Sequence, residues 1–139
     1  MRQVFADTGY WIAVFFPCDE FHSLAKTLDI SLKQQNVIIV TSEFVLNEFL
    51  AFFSRFNTKV RQQVANFVLQ IQDHPDININ PSPSDLFYRA VTLYRTREDK
   101  QWSLTDCHSF LIMQDLGIPE ALAHDKHFEQ AGFKILLKR

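Results

Sequence analysis

The chain has 139 residues and a formal net charge of −2, and 47% of its residues are hydrophobic while 22% are charged. Only three glycines and five prolines are present, so the composition excludes a disordered, collagen-like or low-complexity chain and predicts a single globular domain over residues 1–139. The charge lacks the basic excess typical of nucleic-acid-binding proteins, which lowers the expectation of such binding without excluding it.

The first half of the chain alternates short apolar runs with amphipathic segments. Apolar residues spaced three and four apart predict helices, and short β-branched runs predict buried strands. Thr41 or Ser42 is expected to cap the helix that follows the second strand. In chain order we expect a strand at 4–6, a short helix at 11–16, a helix at 22–35, a strand at 37–40, a helix at 43–56 and a helix at 57–73.

The second half continues this alternation. Ser82 stands three residues before Asp85 with Pro83 in the first turn, a helix-start signal. Ser103 is expected to cap the next helix, and Gly117 to end it. We expect a brief strand around 77–79, a helix from this start signal through Tyr94, a helix at 103–116, a strand at 121–123, a short helix at 125–131 and a final strand at 133–137.

Apolar strands that alternate with helices predict an α/β fold, with a mostly parallel sheet covered on both faces. Sites in such sheets lie beyond the carboxyl ends of the strands. Asp7 ends the first predicted strand and Asp125 follows the strand at 121–123, so both should project at the same edge. An aspartate at a strand-to-helix junction also commonly caps a helix, which is the alternative for each.

Glu48 needs a different explanation, because it lies in the most apolar helix, where no cap accounts for it. A carboxylate on such a face costs several kcal/mol unless it is paired, protonated or bound to a metal. The alternatives are a helix edge that reaches solvent and a buried partner such as an arginine.

Asp106 follows Ser103 at capping-box spacing, although Trp102, Phe110 and Met113 indicate that its face points inward. Thr105 and Ser109 are expected to add hydroxyls beside it. His108, His124 and His127 crowd the neighbouring segments without zinc-ligand spacing, so partial exposure is expected for each.

Four acids that converged without a basic cluster would repel one another, and their ionisation would be suppressed. A hard divalent cation such as Mg²⁺ or Mn²⁺ resolves this repulsion, since it prefers oxygen ligands. One or two such ions activate a water and stabilise the leaving oxygen in phosphodiester cleavage.

Two cysteines, Cys18 and Cys107, are too few for a disulfide scaffold or a zinc quartet. The N-terminal segment lacks the long apolar run of a signal peptide, and no stretch reaches the roughly 18–20 apolar residues of a membrane span. The expectation is a cytoplasmic chain with no membrane partner.

The chain resembles the PIN domain family, and within it the VapC-type toxin ribonucleases and their stand-alone bacterial relatives. The resemblance covers nearly the whole chain in length and element order. It depends on four segments, VFADT at 4–8, FVLNEF at 44–49, SLTDC at 103–107 and AHDKHF at 123–128 leading into Gly132 and Phe133.

The resemblance implies a PIN-like three-layer α/β/α sandwich. It also implies an Mg²⁺- or Mn²⁺-dependent endoribonuclease that acts as the toxin of a type II toxin–antitoxin pair. Single-stranded or loop RNA is the expected substrate on physical grounds, because an A-form helix hides its major groove. By position, Asp7, Glu48, Asp106 and Asp125 would form the catalytic quartet. Asp7 and Asp106 would be the principal metal ligands, and the other two acids would complete the metal and water network.

Three further positions bear on this resemblance. Thr8 and Thr105 match positions where the family often has a hydroxyl. Ala123 departs from a frequent Thr or Ser near the last acid, and this departure bears on a secondary hydrogen bond rather than on the metal site.

The family also implies partners, namely a homodimer and a small antitoxin. Exposed parts of the 49–56 and 67–71 segments could supply those surfaces, although core packing accounts for the same residues. Two basic sets are candidates for RNA phosphate contacts, although solvated faces explain them equally: Arg55, Lys59 and Arg61, or Arg95, Arg97 and Lys100.

Two rival interpretations stay open on the sequence. The first is a non-catalytic PIN-like module that binds RNA or protein. The second is a flavodoxin-like receiver domain, which would need an acidic pair after its first strand where Asp7 supplies a single acid.

Overall fold

The computed structural model describes residues 1–139. Its strands are β1 (Gln3–Ala6), β2 (Ile38–Ser42), β3 (Ile77–Asn80), β4 (Glu120–Leu122) and β5 (Lys134–Ile135). Its helices are α1 (Thr8–Phe15), α2 (His22–Gln34), α3 (Glu43–Phe52), α4 (Thr58–Asp73), α5 (Ser84–Thr96), α6 (Leu104–Leu116) and α7 (Lys126–Gln130). None of these helices combines the length and the apolar character needed to cross a lipid bilayer.

The five strands form one sheet in the order β3-β2-β1-β4-β5, and every neighbouring pair is parallel. The predicted α/β fold is therefore confirmed, with a sheet that is entirely rather than mostly parallel. A flavodoxin-like receiver has the order 2-1-3-4-5, so the receiver interpretation is wrong. Because the strand order reverses between β1 and β4, these two strands flank the crevice in which α/β sheets bind their ligands.

Helices cover the sheet on both faces, as a three-layer α/β/α sandwich requires. The chain moves across the sheet in one direction from β1 to β3 and in the opposite direction from β3 to β4. Since crossovers between parallel strands are right-handed, α1 and α2 belong to one face of the sheet and α5 and α6 to the other. Helix α3 contacts both α1 and α6, so it lies where the two helical layers meet. A cluster of 31 buried apolar residues fills the space between the layers.

The predicted helix starts are largely realised by side-chain caps. The Ser42 side chain accepts a hydrogen bond from the Val45 N–H at 3.1 Å, and so caps α3. Asn57 caps α4 in the same way, and Ser103 caps α6. Gly117 ends α6 with a φ of 67°, a left-handed conformation that glycine adopts without steric cost.

Helix α3 ends at Phe52 rather than near Phe56 as expected. The N–H groups of Phe53 and Ser54 bond to carbonyls three residues back, which tightens the chain into a turn. Phe53 is nevertheless buried. The apolar spacing therefore continues past the helix end, which is why the periodicity overestimated its length.

Ser82 does not begin α5 as predicted. Ser82 has a φ of +61°, and its N–H donates to the Asn80 side chain at 2.8 Å, so it belongs to a turn. Pro83 occupies the N-cap position without a side-chain bond, and the helix begins at Ser84. The last strand is also shorter than expected, at Lys134–Ile135.

Candidate active site

Asp7 and Asp125 lie at the same edge of the sheet, as predicted. Asp7 directly follows β1, and Asp125 stands three residues beyond the end of the neighbouring strand β4. The Asp7 N–H donates to the Leu122 carbonyl at 3.1 Å, which fixes the first acid against that strand. The parallel pairing of Ala6 with Leu122 therefore brings the two junctions side by side.

Glu48 reaches this edge from α3 and Asp106 from α6. The Thr8 hydroxyl donates to Oε1 of Glu48 at 2.7 Å, which joins the start of α1 to the middle of α3. No lysine or arginine pairs with Glu48, so the alternative of a buried basic partner is excluded by the ion pairs of the chain.

The four acids meet in a cleft of about 330 Å³ whose ten lining residues include none that is hydrophobic. The cleft contains no lysine or arginine. Its remaining walls are formed by hydroxyl, amide, imidazole and glycine groups. The lining residues are Asp7, Thr8, Gly9, Glu48, Gln101, Ser103, Asp106, His124, Asp125 and His127. Thr105 and Ser109, which were expected beside Asp106, do not line it.

Burial and mutual repulsion disfavour ionised carboxylates in this cleft. Burial is the largest cause that raises the pKa of Asp7 to about 7, and the nearby charges of Asp106, Glu48 and Asp125 raise it further. The pKa of Asp106 is also raised by burial, although hydrogen bonds from Ser103 and His127 oppose that shift. The expected suppression of ionisation is therefore present at these two acids.

Capping and a position in the cleft are compatible for two of the acids. Oδ2 of Asp106 accepts from the Ser103 N–H at 3.0 Å while the Asp106 N–H donates to the Ser103 hydroxyl, which completes a capping box. Oδ1 of Asp125 accepts from the His127 N–H at 2.9 Å. Asp7 holds the N-cap position of α1 without a side-chain cap bond.

His127 is the residue that the sequence interpretation undervalued. Its Nδ1 lies 3.0 Å from Oδ2 of Asp106 and 3.4 Å from Oδ1 of Asp125, so one imidazole contacts two of the four acids. The sequence signals were its place two residues after Asp125 at a strand-to-helix junction and its membership of the AHDKHF segment that carries the family resemblance.

The other two histidines differ from each other. His124 is exposed and lines the cleft. His108 is fully buried, which contradicts the expected partial exposure, and its ring stacks on Phe44 with centroids 4.2 Å apart. Burial lowers the pKa of His108, so the neutral imidazole is favoured inside the core.

The donor chemistry of the cleft fits a hard divalent cation. Carboxylate oxygens are the ligands that Mg²⁺ and Mn²⁺ prefer, and a cation would offset the burial and the repulsion that together raise the pKa of Asp7. As the side chains stand, no three of the histidine, cysteine, aspartate and glutamate groups are close enough to hold one ion. An ion that keeps several waters and bonds to one or two carboxylates matches this spacing.

A carboxylate cleft at the switch point of a five-stranded parallel sheet defines the class of protein. The chain belongs to the PIN domain family, whose model matches residues 4–134. It is 28% identical over 131 residues to the 23S rRNA-specific endonuclease VapC20 from two strains of Mycobacterium tuberculosis, covering 94% of this chain and 95% of that protein.

A crystal structure supports the same relationship. The structure of Mycobacterium tuberculosis VapC20, described as a sarcin-ricin loop cleaving toxin, matches with a TM-score of 0.82. The two chains are 27% identical, and the match covers 94% of this chain and 95% of that one.

Proposed function

We propose that the chain is an Mg²⁺- or Mn²⁺-dependent endoribonuclease that hydrolyses phosphodiester bonds in single-stranded or loop RNA. One observation carries the proposal: Asp7, Glu48, Asp106 and Asp125 come from separate parts of the chain and line one cleft that contains no lysine or arginine. Membership of the PIN family makes nuclease chemistry the expected use of such a cleft.

The RNA substrate is inferred from the relatives and from RNA geometry. VapC20 is named a 23S rRNA-specific endonuclease, and its crystal structure is described as that of a sarcin-ricin loop cleaving toxin. An A-form helix hides its deep major groove from side chains, whereas a loop exposes its backbone and bases. A single strand or a loop is therefore the favoured substrate of the acidic cleft.

The four acids would divide the work between holding the ion and orienting water. When bound, Mg²⁺ or Mn²⁺ supplies Lewis acidity that activates water and offsets charge on the leaving oxygen. Asp7 and Asp106 would hold the ion. Burial raises the pKa of both carboxyl groups and so favours a bound proton on each, and a bound cation would neutralise the same negative charge. Glu48, already fixed by the Thr8 hydroxyl, and Asp125 would orient the attacking water.

The first test is cleavage of a mixed pool of single-stranded RNA with Mn²⁺, with Mg²⁺ and with a chelator. The native chain is compared with Asp7→Asn and with Asp73→Asn, which changes an exposed aspartate on α4 outside the cleft. We expect metal-dependent cutting by the native chain and by Asp73→Asn, and a loss of at least about a hundredfold in Asp7→Asn.

The outcomes separate the competing functions. Cutting that is equal in Asp7→Asn would identify a contaminant and remove the proposal. No cutting together with no Mn²⁺ binding would favour the non-catalytic module. No cutting with Mn²⁺ bound would keep the metal site and reject this RNA pool as the substrate.

We further propose that the chain acts as the toxin of a toxin–antitoxin pair, with a homodimer and a small antitoxin as partners. Exposed apolar side chains on α3 and α4 support this, since Phe52 is 48% exposed and Leu69 is 58% exposed. Phe49, Phe53 and Ile71 from the same segments are buried and belong to the core. A monomer mass that is independent of dilution in light scattering would contradict the dimer.

A further inference from the structure

His124 stands at the wall of the acidic cleft in a fixed orientation. Its ring stacks face to face on Phe21, with centroids 4.3 Å apart and an angle of 7° between the planes. The Arg139 guanidinium covers Phe21 at 4.9 Å from its centroid. Arg139 is itself held by the Glu20 carboxylate at 2.9 Å.

Gly9 also lies against the imidazole. A Cβ at this position would stand 2.9 Å from Nε2 and 3.2 Å from Cδ2 of His124, closer than real contacts allow. The ring therefore occupies space that exists because residue 9 has no side chain. Stacked on Phe21 and in close contact with Gly9, His124 is held in place although it is exposed to solvent.

Few groups in the cleft can donate a hydrogen bond to a polyanion. Three of its side chains carry N–H donors, namely Gln101, His124 and His127. Nδ1 of His127 is already engaged by Asp106, and Gln101 is exposed in a loop segment without any packed ring to hold it. His124 makes no hydrogen bond within the chain, so a positioned ring nitrogen is left for a ligand.

We propose that the His124 imidazole is an RNA-binding residue that donates a hydrogen bond to a phosphate oxygen of the strand entering the cleft. The inference deepens the proposed function and rests on it. A cleft of carboxylates repels the RNA backbone outside the place where a cation binds, so a fixed N–H donor at the wall offers the strand a favourable contact. Because the ring is already ordered, the contact costs little further conformational entropy.

The test measures the affinity of a 5′-fluorescein-labelled single-stranded RNA pool by anisotropy in EDTA, so that no metal-dependent cutting occurs. His124→Phe keeps a ring to stack on Phe21 and removes both nitrogens. Gln62→Leu, which removes an exposed amide from α4 outside the cleft, is the control. We expect about tenfold weaker binding for His124→Phe, the size of one charge-assisted hydrogen bond, and no change for the control.

Gly9→Ala is a second variant that keeps the imidazole and displaces it. It should weaken binding in the same direction, because the new Cβ moves the ring away from its position. Binding by His124→Phe within twofold of the native chain would overturn the inference.

The inference and the proposed function can fail separately. A native chain that binds RNA but never cleaves it, with His124→Phe weakened, would keep the contact and reject the nuclease. A native chain that binds no RNA in EDTA would overturn the inference alone, because the cleavage assay with Mn²⁺ or Mg²⁺ tests the proposed function separately.

Discussion

Asp7 and Asp106 are the two acids whose surroundings most oppose ionisation. Asp7 directly follows β1 and Asp106 belongs to the first turn of α6, and neither carboxylate pairs with a lysine or arginine. Burial is the first cause of the raised pKa at each. The metal-free fold therefore bears an electrostatic cost that a cation would relieve.

Asp7→Asn should stabilise the metal-free protein above neutral pH. The pKa of Asp7 rises from 3.8 in the unfolded chain to about 7 in the fold, so the folded chain holds a proton that the unfolded chain has lost between these values. Stability from this carboxyl is thus present below pH 4 and declines as the pH rises to about 7.

Asparagine cannot ionise, so the variant escapes that decline. We expect the variant to be more stable to unfolding than the native chain by about 1–3 kcal/mol at pH 8 and by little at pH 4. This range is smaller than the free energy that the whole pKa shift would represent, because Asp7 is partly exposed and solvent screens its charge. Urea unfolding in chelator at both pH values measures this, with Asp73→Asn as the control. An equal effect at both pH values would show that Asp7 titrates normally.

His127→Phe should loosen the metal site while leaving the fold intact. The substitution keeps an aromatic ring between the acids and removes the Nδ1 donor that stands 3.0 Å from Asp106. Groups that orient metal ligands contribute roughly tenfold or more to affinity. Titration with Mn²⁺ by calorimetry should show about tenfold weaker binding than the native chain or Lys126→Ala, and equal affinity would reject this role.

The starts of two helices use the same atoms as the candidate site. Ser103 caps α6 through Asp106, and Asp125 caps α7, so the local geometry that begins each helix also orients a carboxylate. Asp7 begins α1 without such a bond. Capping and a functional role, which were alternatives on the sequence alone, are combined here in the same two aspartates.

Removing the α6 cap should affect stability and cleavage together. Ser103→Ala loses one side of the capping box and should cost about 1 kcal/mol. Asn57→Ala removes the cap of α4, which lies outside the cleft, and should cost a similar amount. We expect reduced RNA cleavage only in Ser103→Ala, because only this cap holds Asp106, as measured at a temperature where both variants are folded.

The distribution of charge over the molecule separates the metal site from the surfaces that could attract RNA. The cleft has no lysine or arginine, whereas Arg97 and Lys100 lie in the segment that leads to its wall at Gln101 and Ser103. Arg97 covers the ring of Trp102 at 4.8 Å from its centroid, which places the guanidinium close to the start of α6. Of the two basic sets, this one adjoins the cleft in the chain.

Replacing Arg95, Arg97 and Lys100 by alanine should therefore weaken RNA binding and reduce its salt dependence. Each lost phosphate contact lowers the slope of log affinity against log salt by about 0.7 for a single strand, so the triple variant should lower it by up to about 2. The matched triple variant of Arg55, Lys59 and Arg61 should change the slope less. A larger effect from the second variant would place the RNA path along α4.

The sequence by itself determined the kinds and order of the elements, because helical and strand periodicities and caps such as Ser42 and Ser103 depend on neighbours within a few residues. It also placed Asp7 and Asp125 together, since parallel strands share a carboxyl edge.

Only the tertiary structure decided the order of the strands, the approach of Glu48 and Asp106 to that edge, and the contacts of His127 and His124. These features depend on which distant segments pack together, and that choice is made by burial of the whole core. No local pattern records that the ring of Phe21 meets His124, or that Gly9 leaves room for it.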